Sequence, residues 1–101
     1  MFSFEYLQNQ IDEKLHGDAS RFDELWDLIP DFAGTLRKFD LNNEWLNWSE
    51  KTYDGWYCVT LPDGRYEVYY KERGIKFRSY FFVDERQAFR HLLTASGTVR
   101  V

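Results

Sequence analysis

Residues 55–83 read GWYCVTLPDGRYEVYYKERGIKFRSYFFV, and how this stretch divides decides the fold. Runs rich in aromatic and β-branched residues, 55–61, 65–71 and 75–83, are separated by Pro62-Asp63-Gly64 and Glu72-Arg73-Gly74. Proline presets the first turn position, and glycine accepts a left-handed backbone without a Cβ clash, so the first break reads as a hairpin turn. The second break makes the next connection. The expected unit is a three-stranded antiparallel β-meander.

Alternation gives each strand two faces. Along the middle strand Tyr66, Val68 and Tyr70 point one way, and Arg65, Glu67, Tyr69 and Lys71 the other. We expect Tyr57, Val59, Leu61, Phe77, Phe81 and Val83 to join the first set on a core face covered by a final helix. Tyr66 and Tyr70 then read as core residues, and Tyr69, near Lys71 and Arg78, as a surface candidate. Trp56, Cys58, Tyr80 and Phe82 fall on the opposite face, which N-terminal helices would cover. Left uncovered, that face would be an aromatic patch of the kind that marks a binding site.

Outward from the meander the hydrophobic period changes. Upstream, Phe4, Leu7, Ile11 and Leu15 recur at helical spacing, and Gly17 suits the helix end. Ser20 is placed to cap a second helix with Phe22, Leu25, Trp26 and Ile29 as its stripe, stopped by Pro30. Asp31 is placed to cap a third, with Phe32, Leu36 and Phe39 inward. Residues 40–50 read as a loop followed by a short helix bearing Trp45 and Trp48. Downstream, Asp84 caps a helix whose apolar face is Ala88, Phe89, Leu92 and Leu93, ended by Gly97, with residues 98–101 a tail or an added edge strand. The class is α+β: N-terminal helices, a three-stranded antiparallel meander and a C-terminal helix in one domain, 1–101.

The 101 residues include four Trp, seven Tyr and nine Phe, enough apolar surface for one core without a metal or disulfide. One cysteine, Cys58, excludes an internal disulfide and fits a reducing cytosol. No cationic segment precedes an apolar run at the N-terminus, and no run approaches the roughly 20 apolar residues of a membrane span, so a cytoplasmic protein is expected. The net charge of −4 is unevenly placed: residues 1–50 carry eleven acids against four bases, and residues 51–101 nine bases against six acids. Such asymmetry fits a partner of opposite sign, although amphipathic helices also put acids on solvated faces.

Residues suited to catalysis are sparse and scattered. Cys58 lies mid-strand, where it reads as a small core residue, and His16 and His91 are far apart, His91 suiting the dipole at a helix C-terminus. Two histidines and one cysteine do not make a metal site, and the isolated glycines form no phosphate-binding loop. Asp23 and Asp27 share a helix face but read as solvated carboxylates. No enzyme, metal or cofactor is expected.

Trp56-Tyr57, Asp63-Gly64-Arg65-Tyr66-Glu67-Val68-Tyr69-Tyr70, Glu72-Arg73-Gly74, Phe82 and Asp84-Glu85-Arg86-Gln87-Ala88-Phe89 carry a further signal. Over residues 53–95 the chain resembles small bacterial immunity proteins encoded beside polymorphic or contact-dependent-inhibition toxins. The resemblance implies a tight, stoichiometric cytosolic complex with a cognate toxin domain, often a nuclease (a ribonuclease favoured), inhibited by occlusion. Nuclease toxins present basic surfaces to nucleic acid, so the acidic half becomes the candidate contact surface. Its candidate residues are Asp23, Glu24, Asp27, Asp31, Asp40 and Glu44, with Trp45 and Trp48 as aromatic anchors and Tyr69 as a further surface contact. The alternative is a single-stranded nucleic-acid binder using Tyr69, Tyr80, Arg65, Lys71, Arg73, Lys76 and Arg78, against which the acidic balance weighs.

Overall fold

The computed structural model describes residues 3–38 and 46–99. Helix α1 (Ser3–Lys14) is followed by a 3₁₀ turn (Ala19–Glu24) running into α2 (Leu25–Leu28), then α3 (Phe32–Arg37). The strands are β1 (Leu46–Asn47), β2 (Gly55–Thr60), β3 (Tyr66–Glu72) and β4 (Ile75–Phe82), and α4 (Glu85–Ala95) closes the domain. The class is α+β, as the periodicity indicated.

The caps follow local chemistry. Asp84 accepts from the Arg86 amide and starts α4. Upstream, Asp18 rather than Ser20 is the cap: its carboxylate accepts from both the amide and the hydroxyl of Ser20, a preference for the residue that can hold two donors. Asp31 precedes α3 as expected, but in a left-handed conformation (φ 51°) and without a side-chain capping bond.

The sheet has four strands in the order β1-β2-β3-β4, which corrects the three-stranded meander. Leu46 and Asn47 pair in parallel with Trp56 and Tyr57, in place of the short helix expected there. The Asn47 amide fastens the pairing by donating to the Trp56 carbonyl at 3.2 Å. Phe39, Asp40, Glu44 and Trp45 lie outside the described residues. Both hairpins form. Leu61 and Arg65 close a three-residue loop in which Gly64 takes φ 90°, and Arg73-Gly74, both at positive φ, make a two-residue turn of the type that matches strand twist.

That first loop fixes the pairing parity. Thr60 faces Tyr66, Cys58 faces Val68 and Trp56 faces Tyr70, so these six share one side; Tyr57 and Tyr69 share the other. A bulge in β4 then shifts the phase. Val68 faces Tyr80 but Tyr70 faces Phe77, leaving Arg78 and Ser79 opposite Tyr69, with Arg78 at φ 55°. Ile75, Phe77, Tyr80 and Phe82 therefore share the side of Trp56 and Val68. The expected core face is thus corrected: Trp56 and Cys58, not Tyr57 and Val59, point to the helices, and Phe77 separates from Phe81.

All helices cover that one side. Leu7, Ile11 and Leu15 of α1, Phe22, Leu25, Phe32 and Leu36, and Ala88, Phe89, Leu92 and Leu93 of α4 form one cluster with Trp56, Cys58 and Val68. Val99, expected in a tail or edge strand, is buried in the same cluster. Tyr66 and Tyr70 are partly buried against it, in line with their reading as core residues. The centre is Phe89, whose ring stacks on Trp48 (centroids 4.9 Å), meets Trp26 edge-on (5.7 Å) and lies under the Arg37 guanidinium (5.1 Å). On the other side of the sheet the buried apolar cluster among the described residues is small: Tyr57, Val59 and Tyr69, with Leu61 against them.

Candidate functional site

The acidic residues of the helical layer are largely engaged within the molecule. Asp23 lies 3.7 Å from both Arg86 and Arg90, and Asp27 lies 3.1 Å from Arg86, whose guanidinium also donates to the Asp23 carbonyl at 2.6 Å. These contacts tie the 3₁₀–α2 segment to α4. Glu24 pairs with Arg21 at 2.7 Å, and that bond holds its carboxyl below the usual range. Asp18 and Asp27 oppose the shift through like charge, so the three acids lie near one another, with Arg21 and Arg86 among them. The Asp31 carboxylate folds back against Gly34.

Of the three aromatic candidates Trp45 lies outside the described residues, and the other two are internal. Trp48 is buried on Phe89, so it serves the core and cannot anchor a partner without unfolding. Tyr69 is 0% exposed, because the bulge and the chain at residues 50–53 close over it. Its ring stacks on Tyr57 at 5.0 Å, its hydroxyl donates to Glu50 at 2.5 Å, and Lys76 lies 4.5 Å above the ring. Burial raises its pKa first, and the Glu50 carboxylate adds to the shift, so the phenol stays protonated.

Glu50 is the hub of this second side. It accepts from Tyr69 and Lys71 and lies 3.4 Å from Lys76, which also reaches Glu67; Ser79 donates to Glu67 at 3.2 Å. The Tyr69 hydroxyl, and then the lysines, hold the Glu50 carboxyl low against the opposing effect of burial. A carboxylate with a depressed folded pKa stabilises the fold above its unfolded value, and that stability is lost as pH falls through the folded one. Glu50→Gln should therefore cost a few tenths to about 1 kcal/mol at pH 7, small because the carboxylate is half exposed. The difference between the melting curves of the two proteins should shrink as pH falls below the usual glutamate value and vanish only below the lowered folded one.

Among the described residues, most of the exposed large apolar side chains lie along β4, the outer edge of the sheet, and just beyond it. Ile75, Phe77, Tyr80 and Phe81 are 46–59% exposed, and Val83, just beyond, is 82% exposed. At the Gly74 end a cleft of about 430 Å³ is lined by Trp56, Tyr70, Glu72, Phe77 and Arg78. Trp56 and Tyr70 meet edge-on at 5.5 Å in its wall. Alternation could have revealed this surface only if the bulge had been foreseen.

No catalytic set assembles among the described residues. Burial pushes the Cys58 thiol up to about 12, so at pH 8 roughly one part in 10⁴ is thiolate. The thiol should resist Ellman's reagent at pH 8 in the native protein and react at once in guanidinium; rapid native labelling would contradict this burial. His91 packs on the rings of Tyr80 (4.8 Å) and Phe82 (5.4 Å), and burial lowers its pKa. It sits one turn inside α4, where packing replaces the expected dipole role. No group of three or more metal-ligating side chains occurs among the described residues, and none of their helices is long and apolar enough to cross a membrane. No protein-family model, curated protein or solved structure matches the chain.

Proposed function

We propose that this chain is a protein-binding inhibitor: an immunity protein that neutralises a cognate bacterial toxin domain in the cytoplasm by occluding its active site. The observation that carries the reading is the set of half-exposed apolar side chains on β4: Ile75, Phe77 and Tyr80 in a row on one side, with Phe81 on the other. Monomeric proteins rarely leave such a row open on a sheet edge unless a partner covers it. The excess of acids over bases in residues 1–50 supports a partner with a basic surface, a nuclease and foremost a ribonuclease, because opposite fields speed encounter. Asp23 lies within the stretch from Asp18 to Asp27 and Asp31 just beyond it. In this reading the chain holds no cofactor and does no chemistry.

The test is co-expression with the toxin domain encoded in the adjacent reading frame. Growth should be restored, and the two proteins should co-purify one to one. A toxic neighbour that neither binds nor is silenced by this chain would end the proposal.

A second reading, a single-stranded nucleic-acid platform, is favoured by one observation: Arg78 lines the cleft together with the exposed ring of Phe77. Against it, Arg65 is tied to Asp63, Lys76 to Glu50 and Glu67, Lys71 to Glu50, and Tyr69 is buried. Retention of the protein on single-stranded RNA at low salt, lost at high salt, would favour this reading.

A further inference from the structure

Arg78 lines the cleft beside β4 and Arg73 stands in the turn next to the lining residue Glu72, both in a backbone conformation that suits glycine better. Arg73 has φ 50° and Arg78 φ 55°, in the left-handed region where an L side chain crowds its own backbone. In the same two hairpins Gly64 and Gly74 occupy such positions at φ 90° and 79°. Neither the turn nor the bulge needs a side chain there. Strained positions of this kind cluster at ligand-binding sites.

Their side chains differ from the other arginines. Arg21, Arg37, Arg65, Arg86 and Arg90 each pair with a carboxylate, whereas neither Arg73 nor Arg78 does so among the described residues. Arg78 lines the cleft together with Trp56, Tyr70, Phe77 and Glu72. Trp, Tyr and Arg around a depression are the residues that concentrate binding energy at protein interfaces.

Resting on the inhibitor reading, we infer that this cleft receives an anchor segment of the partner protein: one large apolar or aromatic side chain entering between Trp56, Tyr70 and Phe77, with an adjacent carboxylate bound by Arg78 and a second within reach of Arg73. Charge identifies the occupant. Among the described residues neither guanidinium pairs with a carboxylate, which favours an acidic segment. Glu72 in the wall and Asp54, which accepts from the Arg73 amide, oppose a phosphodiester chain carrying a charge at every step. A peptide can place its carboxylates at the arginines alone and pass the acids with neutral backbone. A second copy of this chain fits less well, since β4 carries Lys76 and Arg78 and no acid.

Arg78→Gly separates recognition from folding, because glycine relieves the backbone while removing the guanidinium. With a catalytically dead form of the adjacent-frame toxin domain as probe, Arg78→Gly should weaken binding at least tenfold and Arg73→Gly about threefold. Neither should lower the melting temperature. Acetyl-Glu-Trp-Glu-amide at millimolar concentration should shift the Trp56 indole resonance of the wild type, and acetyl-Lys-Trp-Lys-amide should not. Toxin binding unchanged by Arg78→Gly, or a peptide response indifferent to peptide charge, would overturn the site while leaving the inhibitor reading intact. A toxin that fails to bind the wild type would remove that reading, and the peptides would still decide the site. If a single-stranded RNA 12-mer moves the same resonance and Arg78→Gly abolishes that effect, the occupant is nucleic acid and the inference is wrong.

Discussion

Phe89→Ala should lower the melting temperature by roughly 15–30 °C. The ring is 0% exposed and is the point at which β1, α2, α3 and α4 meet, through Trp48, Trp26 and Arg37. Truncating a buried phenylalanine costs about 3–5 kcal/mol, from lost transfer energy and from the cavity left behind. In a domain of this size each kcal/mol moves the midpoint by about 4–8 °C. Aromatic neighbours make collapse into the hole difficult, because the stacked Trp48 ring and the edge-on Trp26 ring cannot both follow. Phe89→Leu retains most of the volume and should cost well under half as much. A circular-dichroism melt that drops by less than about 5 °C for the alanine variant would mean that α4 does not close the core as described.

Placing aspartate at both Phe77 and Tyr80 should reduce affinity for the cognate toxin domain at least 100-fold and abolish growth rescue. Both side chains point from β4 to the side of the sheet that carries the helices, yet they remain 46% and 51% exposed. The partner is therefore the element expected to desolvate them. Anchors of this kind contribute about 2 kcal/mol or more each, and a buried unpaired carboxylate adds a penalty of its own. Folding should change little, since half of each ring already faces water. Full affinity in isothermal titration with the double variant would show that the toxin docks elsewhere. The helical surface around Asp18, Glu24 and Asp27 would then be the one to examine.

The balance between the two surfaces shifted when packing was added to charge. The acids of the first half suggest a negative front when read in one dimension. In three dimensions Arg86 and Arg90 of the basic half reach back to Asp23 and Asp27, and Arg21 takes Glu24. Much of the asymmetry is thus spent on holding the 3₁₀–α2 segment to α4. What remains around Asp18 suits steering more than anchoring.

Local chemistry alone determined the pieces of this protein. The α1 stripe of Leu7, Ile11 and Leu15, the breaks at Pro62-Asp63-Gly64 and Arg73-Gly74, the Asp84 cap and the apolar face of α4 each depend on residues within a few positions of one another. The same is true of the α+β class. Which face of each strand looks inward was decided elsewhere. Residues 56–59 are buried on both sides, so alternation along β2 carries no sign, and one bulge at Arg78-Ser79 reverses the phase of β4 halfway along. Parallel pairing of Leu46-Asn47 and the burial of Trp48 and Tyr69 require contacts with residues far along the chain. Spacing records what a backbone can do by itself; it holds no account of which side chains will arrive to cover a surface, and that meeting made both the core and the open edge.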